Sequence, residues 1–234
     1  MKLANPVAHR LMLAGLSVVL ANAAIADRAA AAVLNAGDLA PLFGTTSAGD
    51  PRLAGTVQSD ALHPFEILGN FGEVLLSGNL QDRVVESNTE GTLIFAPRLR
   101  DLVGAPFAPD MEVRAVFVDG YAGFQTEVEY RTDGLGDVGP SFGLRSFSGD
   151  GLQYLFGVDD LLAPEESYFV STLTDATDFA PIGTARIVAR NIISGEFFET
   201  TLTGINVPVR MPEPSAALIG SLVGGVAGLL VRRR

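Results

Sequence analysis

Apolar and polar side chains alternate with a period of two along residues 124–131. This period places alternate residues on opposite faces of an extended strand, whereas a helical face repeats every three or four residues. Residues 113–117 alternate in the same way. Both segments therefore predict β-strands. In residues 124–131 one face carries Phe124, Thr126, Val128 and Tyr130, and the other face carries Gln125, Glu127, Glu129 and Arg131.

Further short apolar runs, bounded by Gly, Asp or Pro, continue along the chain. The 26 glycines and 13 prolines punctuate runs rich in Val, Ile, Phe and Thr, which is typical of strands and turns. About ten successive strands without a periodic helix predict an all-β fold, an antiparallel β-sandwich or jelly-roll-like domain over residues 56–208. Ser194-Gly195 is expected to turn a hairpin. The other predicted strands are 72–80, 92–96, 141–147, 152–156, 167–173, 185–193 and 196–207.

The chain contains no cysteine. Disulfides, thiolate metal ligands and a cysteine nucleophile are therefore excluded, and packing alone must hold the domain. Residues 27–55 are rich in Ala, Gly, Asp, Pro and Thr and have only short apolar stretches. We expect them to form a leader or a partly ordered segment ahead of the domain.

Acidic residues dominate the middle of the chain. All 27 acids and 11 of the arginines lie between Asp27 and Glu213, which gives that segment a net charge of about −16. Such a surface repels phosphate backbones and anionic lipid headgroups. Nucleic acid is therefore not an expected partner, whereas cations or a neutral glycan suit this charge better.

Residues 1–26 have the three parts of a secretory signal peptide. Lys2 and Arg10 supply positive charge, and residues 11–20 carry none and are strongly apolar. The small side chains of Ala24 and Ala26 offer a cleavage site for signal peptidase, and residues 21–23 offer a second one. Because a spanning helix needs about 20 apolar residues, this run is short for a membrane anchor. We expect export across the inner membrane and removal of the signal.

Residues 209–234 combine three features in order. The motif Pro212-Glu213-Pro214 comes first and is expected to be extended, since proline cannot continue a helix. Residues 216–231 are uncharged and would form a transmembrane helix of about 24 Å. Arg232, Arg233 and Arg234 follow, and the positive-inside rule keeps them cytoplasmic. The helix would therefore stop transfer with the acidic domain already outside.

This order of tripeptide, apolar helix and basic end resembles the PEP-CTERM sorting domain of Gram-negative bacteria. The resemblance covers about 25 residues. It implies recognition by an exosortase, cleavage near the motif, and a membrane-anchored precursor that is then released or reattached at the cell surface. It also implies an association with exopolysaccharide or biofilm matrix. The alternative is an ordinary C-terminal membrane anchor.

Side chains suited to nucleophilic catalysis are scarce. His9 lies in the signal, which leaves His63 in the exported part of the chain, and we expect His63 to be structural or solvent-facing. No serine occupies a Gly-x-Ser-x-Gly elbow, and a zinc site is hard to build from one histidine without cysteine. We expect no catalytic residue, no cofactor and no metal ligand.

Three neighbouring pairs of acids are candidates for glycoside hydrolysis by residue type alone. The alternation predicts that Glu127 and Glu129 share the solvent face of a strand, as on an ordinary polar face. Since the chain has no tryptophan, four tyrosines are the only hydroxylated aromatics that could face a sugar ring. The acid pairs are Glu127 with Glu129, Asp159 with Asp160 and Glu165 with Glu166, and the tyrosines are Tyr121, Tyr130, Tyr154 and Tyr168.

The segment Asp133-Gly-Leu-Gly-Asp137 places two carboxylates in flexible backbone. Such a loop could gather oxygens around calcium. It matches no specific calcium-loop pattern, and Asp-Gly and Gly-Asp are also typical of tight turns. A turn is therefore the favoured interpretation.

Taken together, these features favour an exported, exosortase-processed surface or matrix protein with a non-enzymatic β-domain. The alternative is a secreted carbohydrate- or calcium-binding module, and a secreted hydrolase comes third. The expected partners are signal peptidase, exosortase, the membrane through the C-terminal helix, and exopolysaccharide.

Overall fold

The structure, a computed structural model, describes residues 30–157 and 160–210. Its elements are fourteen β-strands and one short 3-10 helix, η1 (Pro51–Leu53). Two antiparallel sheets pack face to face, which confirms the predicted β-sandwich. The expected signal peptide and all but the first two residues of the expected tail at 209–234 lie outside the described residues.

Each sheet contains seven of the described strands. Sheet A consists of β1 (Ala32–Val33), β3 (Gly55–Leu68), β4 (Val74–Ser87), β5 (Leu93–Phe95), β6 (Arg98–Gly104), β8 (Thr126–Arg131) and β12 (Phe169–Thr174). Sheet B consists of β2 (Leu39–Pro41), β7 (Met111–Asp119), β9 (Phe142–Arg145), β10 (Gly151–Leu155), β11 (Leu161–Leu162), β13 (Asp178–Asn191) and β14 (Phe197–Val209).

The strand order shows which strands form the edges of the two sheets, where the sheets meet. Sheet A runs β1, β8, β12, β5, β4, β3, with β6 also paired to β4. Sheet B runs β14, β13, β7, β10, β9, β2, with β11 paired to β7. Strands β3 and β14 contact each other along one edge, and β1 and β2 do so along the other.

The main core lies between the inward faces of the sheets. Side chains alternate along a strand, so every second residue of the central strands points into this layer. Burial of one Val, Leu or Ile side chain contributes about 1.5–3 kcal/mol. Packing of this kind holds the domain together without disulfides. Typical members are Leu76, Leu80 and Val84 of β4, Val116 and Val118 of β7, and Ala185 and Ile187 of β13.

The N-terminal part of the domain corrects one expectation. Residues 27–55 were expected to be a leader or a partly ordered segment, but residues 30–55 belong to the sandwich. They supply the edge strands β1 and β2, and Leu34 and Leu42 are buried in the main core. Their short apolar stretches are too brief to signal strands, because each strand needs only two or three residues to complete an edge.

Strand β3 also lay outside the predicted strands, although it is 14 residues long. It carries Asp60, His63 and Pro64, which are residue types that lower β-propensity or remove a ladder donor. As an edge strand that pairs only with β4 within its sheet, it tolerates them.

The hairpin predicted at Ser194-Gly195 is confirmed. Strands β13 and β14 pair antiparallel, and the pair nearest the turn is Arg190 opposite Phe197. Gly195 has a φ of 74°, a left-handed conformation that glycine adopts at no steric cost.

Two leucines from the expected leader test its place in the fold. Leu34 is 1% exposed in the core, whereas Leu39 in β2 is 57% exposed. We expect Leu34→Ala to lower the free energy of unfolding by about 2–5 kcal/mol, measured by urea denaturation. Leu39→Ala should change it by no more than about 0.5 kcal/mol. Equal, small effects of both substitutions would mean that this segment does not pack in the core.

Candidate functional site

The two expected terminal signals fall in parts of the chain that the structure does not describe. Ala24, Ala26, the motif at 212–214 and the arginines at 232–234 all lie outside the described residues. Within residues 30–157 and 160–210, nothing helical is long or apolar enough to cross a bilayer.

His63 lies on β3 beside a buried carboxylate. Its Nε2 is 3.7 Å from Oδ2 of Asp82, and it makes no hydrogen bond to any described residue. Asn206 of β14 donates its backbone N–H (2.8 Å) and its side-chain amide (2.7 Å) to the same Asp82 oxygen. Burial raises the pKa of Asp82, and the Asn206 hydrogen bonds oppose that rise. The cluster joins the β3 and β14 edges, and no hydroxyl nucleophile of the described chain contacts the imidazole.

The tyrosines do not form a platform for sugar rings. Tyr121 and Tyr154 are buried in the core. The Tyr154 hydroxyl lies 2.7 Å from Oγ1 of Thr172, and burial raises the pKa of Tyr154 to about 12. Tyr130 and Tyr168 stack on each other with ring centroids 5.7 Å apart.

The segment between β2 and β3 changes the environment of Glu127 and Glu129. Residues 42–54, here called the strap, begin in the main core at Leu42, pair with Arg131 of β8 at Thr45 and reach the outer face of sheet A at Leu53. Glu129 lies on that outer face, but it is only 1% exposed, so the prediction that it faces solvent is wrong. Its carboxylate accepts hydrogen bonds from the backbone N–H groups of Phe43 and Gly44 in the strap. Glu127 accepts one from Arg52 at 2.8 Å.

The other candidate acids are also held by separate partners. Oε2 of Glu165 accepts a hydrogen bond from the backbone of Leu162, while Glu166 pairs with Arg98. Asp160 lies 3.6 Å from Nη1 of Arg114, and Asp159 is outside the described residues. The described structure therefore gives neither Glu127 with Glu129 nor Glu165 with Glu166 a shared open site.

The loop considered for calcium has both of its carboxylates occupied. Asp133 accepts hydrogen bonds from Nε of Arg131 (3.0 Å) and from the backbone and hydroxyl of Ser47 in the strap. Asp137 accepts one from the backbone N–H of Glu166 at 2.9 Å. Among the described side chains, no group of three or more His, Asp or Glu residues could hold a metal ion.

The same loop forms one wall of a small groove on the outer face of sheet A, here called the sheet A groove. Its volume is about 210 Å³. Leu53 of the strap contributes to one side and Leu135 of the loop contributes to the other. Between them lies an apolar floor that includes Val85 of β4 and Ile94 of β5.

Two arginines and an aromatic ring lie side by side in this groove. Phe169 of β12 is the cross-strand partner of Arg131 in β8. On its other side, the Arg83 guanidinium of β4 lies 4.3 Å from the Phe169 ring centroid. A cation–π contact of this kind attracts the guanidinium to the face of the ring. Among the described residues, the charged side chains that line the groove are both basic, in a markedly acidic protein.

Sequence reasoning missed this groove for two reasons. It ended the strand containing β4 at residue 80, so Arg83 was never assigned to a face. It also treated the strap as a leader, so nothing covered the outer face of sheet A. The alternation did place Arg131 on the face of its strand that is opposite to the face of Val128 and Tyr130. This was the one local signal that pointed to the groove.

Fold and groove define the chain as an antiparallel β-sandwich protein with a small basic and apolar groove on one outer face. No protein-family model, curated protein or solved structure matches it.

The hydrogen bonds between Asp133 and the strap predict that the free energy of unfolding depends on pH. Burial alone would raise the pKa of Asp133, but the hydrogen bonds from Arg131 and Ser47 outweigh it and hold this pKa well below its usual range. The stabilisation is therefore fully present above the unfolded pKa of about 3.9 and is lost as the pH falls toward the folded pKa.

We expect Asp133→Asn to lower the free energy of unfolding by about 1–2 kcal/mol at pH 7, and this difference should shrink below about pH 4. Urea denaturation across that pH range measures it. Asp110→Asn is the matched control, because the Asp110 side chain makes no hydrogen bond to the described residues. A constant difference at every pH would contradict the assignment.

Proposed function

We propose that this chain is an exported surface or extracellular-matrix protein with a non-enzymatic β-domain that is processed by an exosortase. The supporting sequence features are the secretory signal, the motif at 212–214 and the apolar and basic segments after it. The strongly acidic middle segment suits a domain displayed outside the membrane and matrix partners that are neutral.

One structural observation carries the proposal. Strand β14 ends at Val209, three residues before Pro212. The sandwich is therefore complete at the point where the expected sorting motif begins. Cleavage beside the motif would release the domain without removing a strand.

The end of the sandwich remote from Val209 supports a contact role in the matrix. Three connections meet there and are here called the tip: residues 69–73, 105–110 and 192–196. Asn70 donates a hydrogen bond to Glu196 at 2.8 Å, and Ile192 donates its backbone N–H to the backbone carbonyl of Asp110 at 2.9 Å. Aromatic and aliphatic side chains project from this end, and Phe71 is 97% exposed, with Phe107, Ile193 and Phe197 also exposed.

In the proposed topology the tip faces away from the membrane that holds the tail. No lysine or arginine lies in its three connections, whereas Glu73, Asp110 and Glu196 do. This composition disfavours anionic surfaces. A neutral exopolysaccharide is the partner that fits it, because exposed apolar side chains can cover the faces of sugar rings.

Processing at the motif is tested by the intact mass of the protein in a host that makes an exosortase. We expect wild-type protein to lose about 20 residues beside Pro212. Pro212→Ala combined with Pro214→Ala should remain full-length in the membrane fraction. Pro181→Ala, a substitution of an exposed proline in β13, should be processed normally. Wild-type protein that still ends at Arg234 in every fraction would contradict the proposal.

The tip is tested by retention on isolated host exopolysaccharide. Phe71→Ser combined with Phe107→Ser should reduce the retained fraction by roughly fivefold or more, because the exposed rings supply the apolar contact. Phe147→Ser is the matched control, since Phe147 is equally exposed in the turn between β9 and β10 at the opposite end. Equal loss by both variants, or no loss by either, would contradict a specific role of the tip.

A second candidate function, a secreted binding module, is favoured by the sheet A groove. A concave, largely apolar site with a few converging polar groups is typical of small-ligand sites. The groove has this character, and its ligand need not be the matrix polymer.

A further inference from the structure

We infer that the sheet A groove binds a carboxylate group carried on an apolar body, as in a small aliphatic or aromatic acid. This inference rests on the second candidate function and specifies its ligand class. It does not depend on how the chain is sorted.

Unused hydrogen-bond donors converge on the groove. Arg83 donates from Nη2 to Asp60 at 2.6 Å, and its Nη1 donates to none of the described residues; its Nε also has no partner but is closed off from solvent and from the groove. Arg131 donates from Nε to Asp133, and its two Nη groups donate to none of the described residues. The hydroxyl of Ser171, between these arginines on β12, is also without a described partner. Donors without acceptors in a partly buried site favour an acceptor-rich ligand.

The charge balance limits the ligand to a single negative charge. Each groove arginine is already paired with one carboxylate that does not line the groove: Asp60 pairs with Arg83, and Asp133 pairs with Arg131. The local net charge is therefore close to zero, although both guanidinium groups still present donors. A carboxylate matches the planar fork of arginine and adds one charge. A phosphate dianion would bring two charges to a site with little excess positive charge.

The walls favour an apolar body beside that carboxylate. Leu53, Val85 and Ile94 belong to a buried apolar cluster on this face. The Phe169 ring and the exposed side chain of Leu135 add further apolar surface. A polar sugar ring would lose hydration against these walls without gaining partners. The volume of about 210 Å³ suits a body of one ring or a short aliphatic chain.

Calorimetric titration of the full-length protein in a non-ionic detergent tests the inference. The probes are phenylacetate and hexanoate, their neutral primary amides, and glucuronate. We expect a Kd of roughly 0.1 to 1 mM for the two acids and at least tenfold weaker binding of the amides. Glucuronate, which carries its carboxylate on a polar ring, should also bind at least tenfold more weakly than phenylacetate.

Substitutions at the groove should weaken binding of the acids, whereas a substitution elsewhere should not. Arg131→Gln should weaken binding of both acids about five- to tenfold. Arg186→Gln is the matched control, because Arg186 stacks on Phe117 at 4.0 Å and pairs with Glu199 on the outer face of sheet B. It should leave binding unchanged.

A substitution at the rim of the groove tests the charge of the ligand without affecting the folding of the domain. Leu135 is exposed, so Leu135→Asp adds a negative charge without disturbing the core. It should weaken the acids at least fivefold more than Leu135→Asn does, because both variants lose the same apolar wall and only Leu135→Asp adds a negative charge.

The possible outcomes separate the two proposals. Amides that bind as tightly as acids, or unchanged acid binding in both Arg131→Gln and Leu135→Asp, would overturn the carboxylate inference alone. Glucuronate binding equal to that of phenylacetate would overturn the requirement for an apolar body. Absence of binding by every probe would overturn the binding-module function as well.

Discussion

The buried carboxylate of Glu129 fastens the strap to sheet A, and much of the outer face depends on that contact. Gly44 donates its backbone N–H to Glu129 at 2.9 Å, and Phe43 donates at 3.4 Å. Burial raises the pKa of Glu129, while backbone hydrogen bonds from Tyr130, Gly44 and Phe43 oppose the rise. A buried acid is tolerated here because backbone donors satisfy it.

Once fastened, the strap gives sheet A a second apolar layer. Leu53 covers Val85 and Ile94, which would otherwise lie exposed on the outer face. Arg52 pairs with Glu127 further along β8. The strap thereby supplies one wall of the sheet A groove, and the loop held by Asp133 supplies the other. The groove exists because two irregular segments are tied to the same strand.

The three proposed activities occupy different parts of the molecule. The proposed sorting segment follows β14 at one end, the apolar tip lies at the other end, and the groove opens on the side of sheet A. The proposed processing of the tail would therefore leave the tip and the groove intact. This separation suits a domain that is first anchored and then displayed in a matrix.

Local patterns predicted the parts of the fold that depend on local sequence. Alternation identified β8, and Ser194-Gly195 identified the β13–β14 hairpin, because each depends on neighbours along the chain. The strap and Glu129 could not be predicted in this way. Whether Glu129 meets solvent is decided by Phe43 and Gly44, about 85 residues earlier in the chain. The groove likewise joins Leu53, Arg83, Arg131 and Phe169 from four separate segments.

Backbone amide hydrogen exchange of the strap tests this account most directly. With the strap fastened by Glu129, the amides of Phe43, Gly44 and Thr45 should exchange at least roughly 100-fold more slowly than in an unstructured chain. Their protection should be lost together with that of β8 and β12 as the protein unfolds. Amides of residues 42–54 that exchange at the unstructured rate, while β12 remains protected, would contradict the central role of the strap.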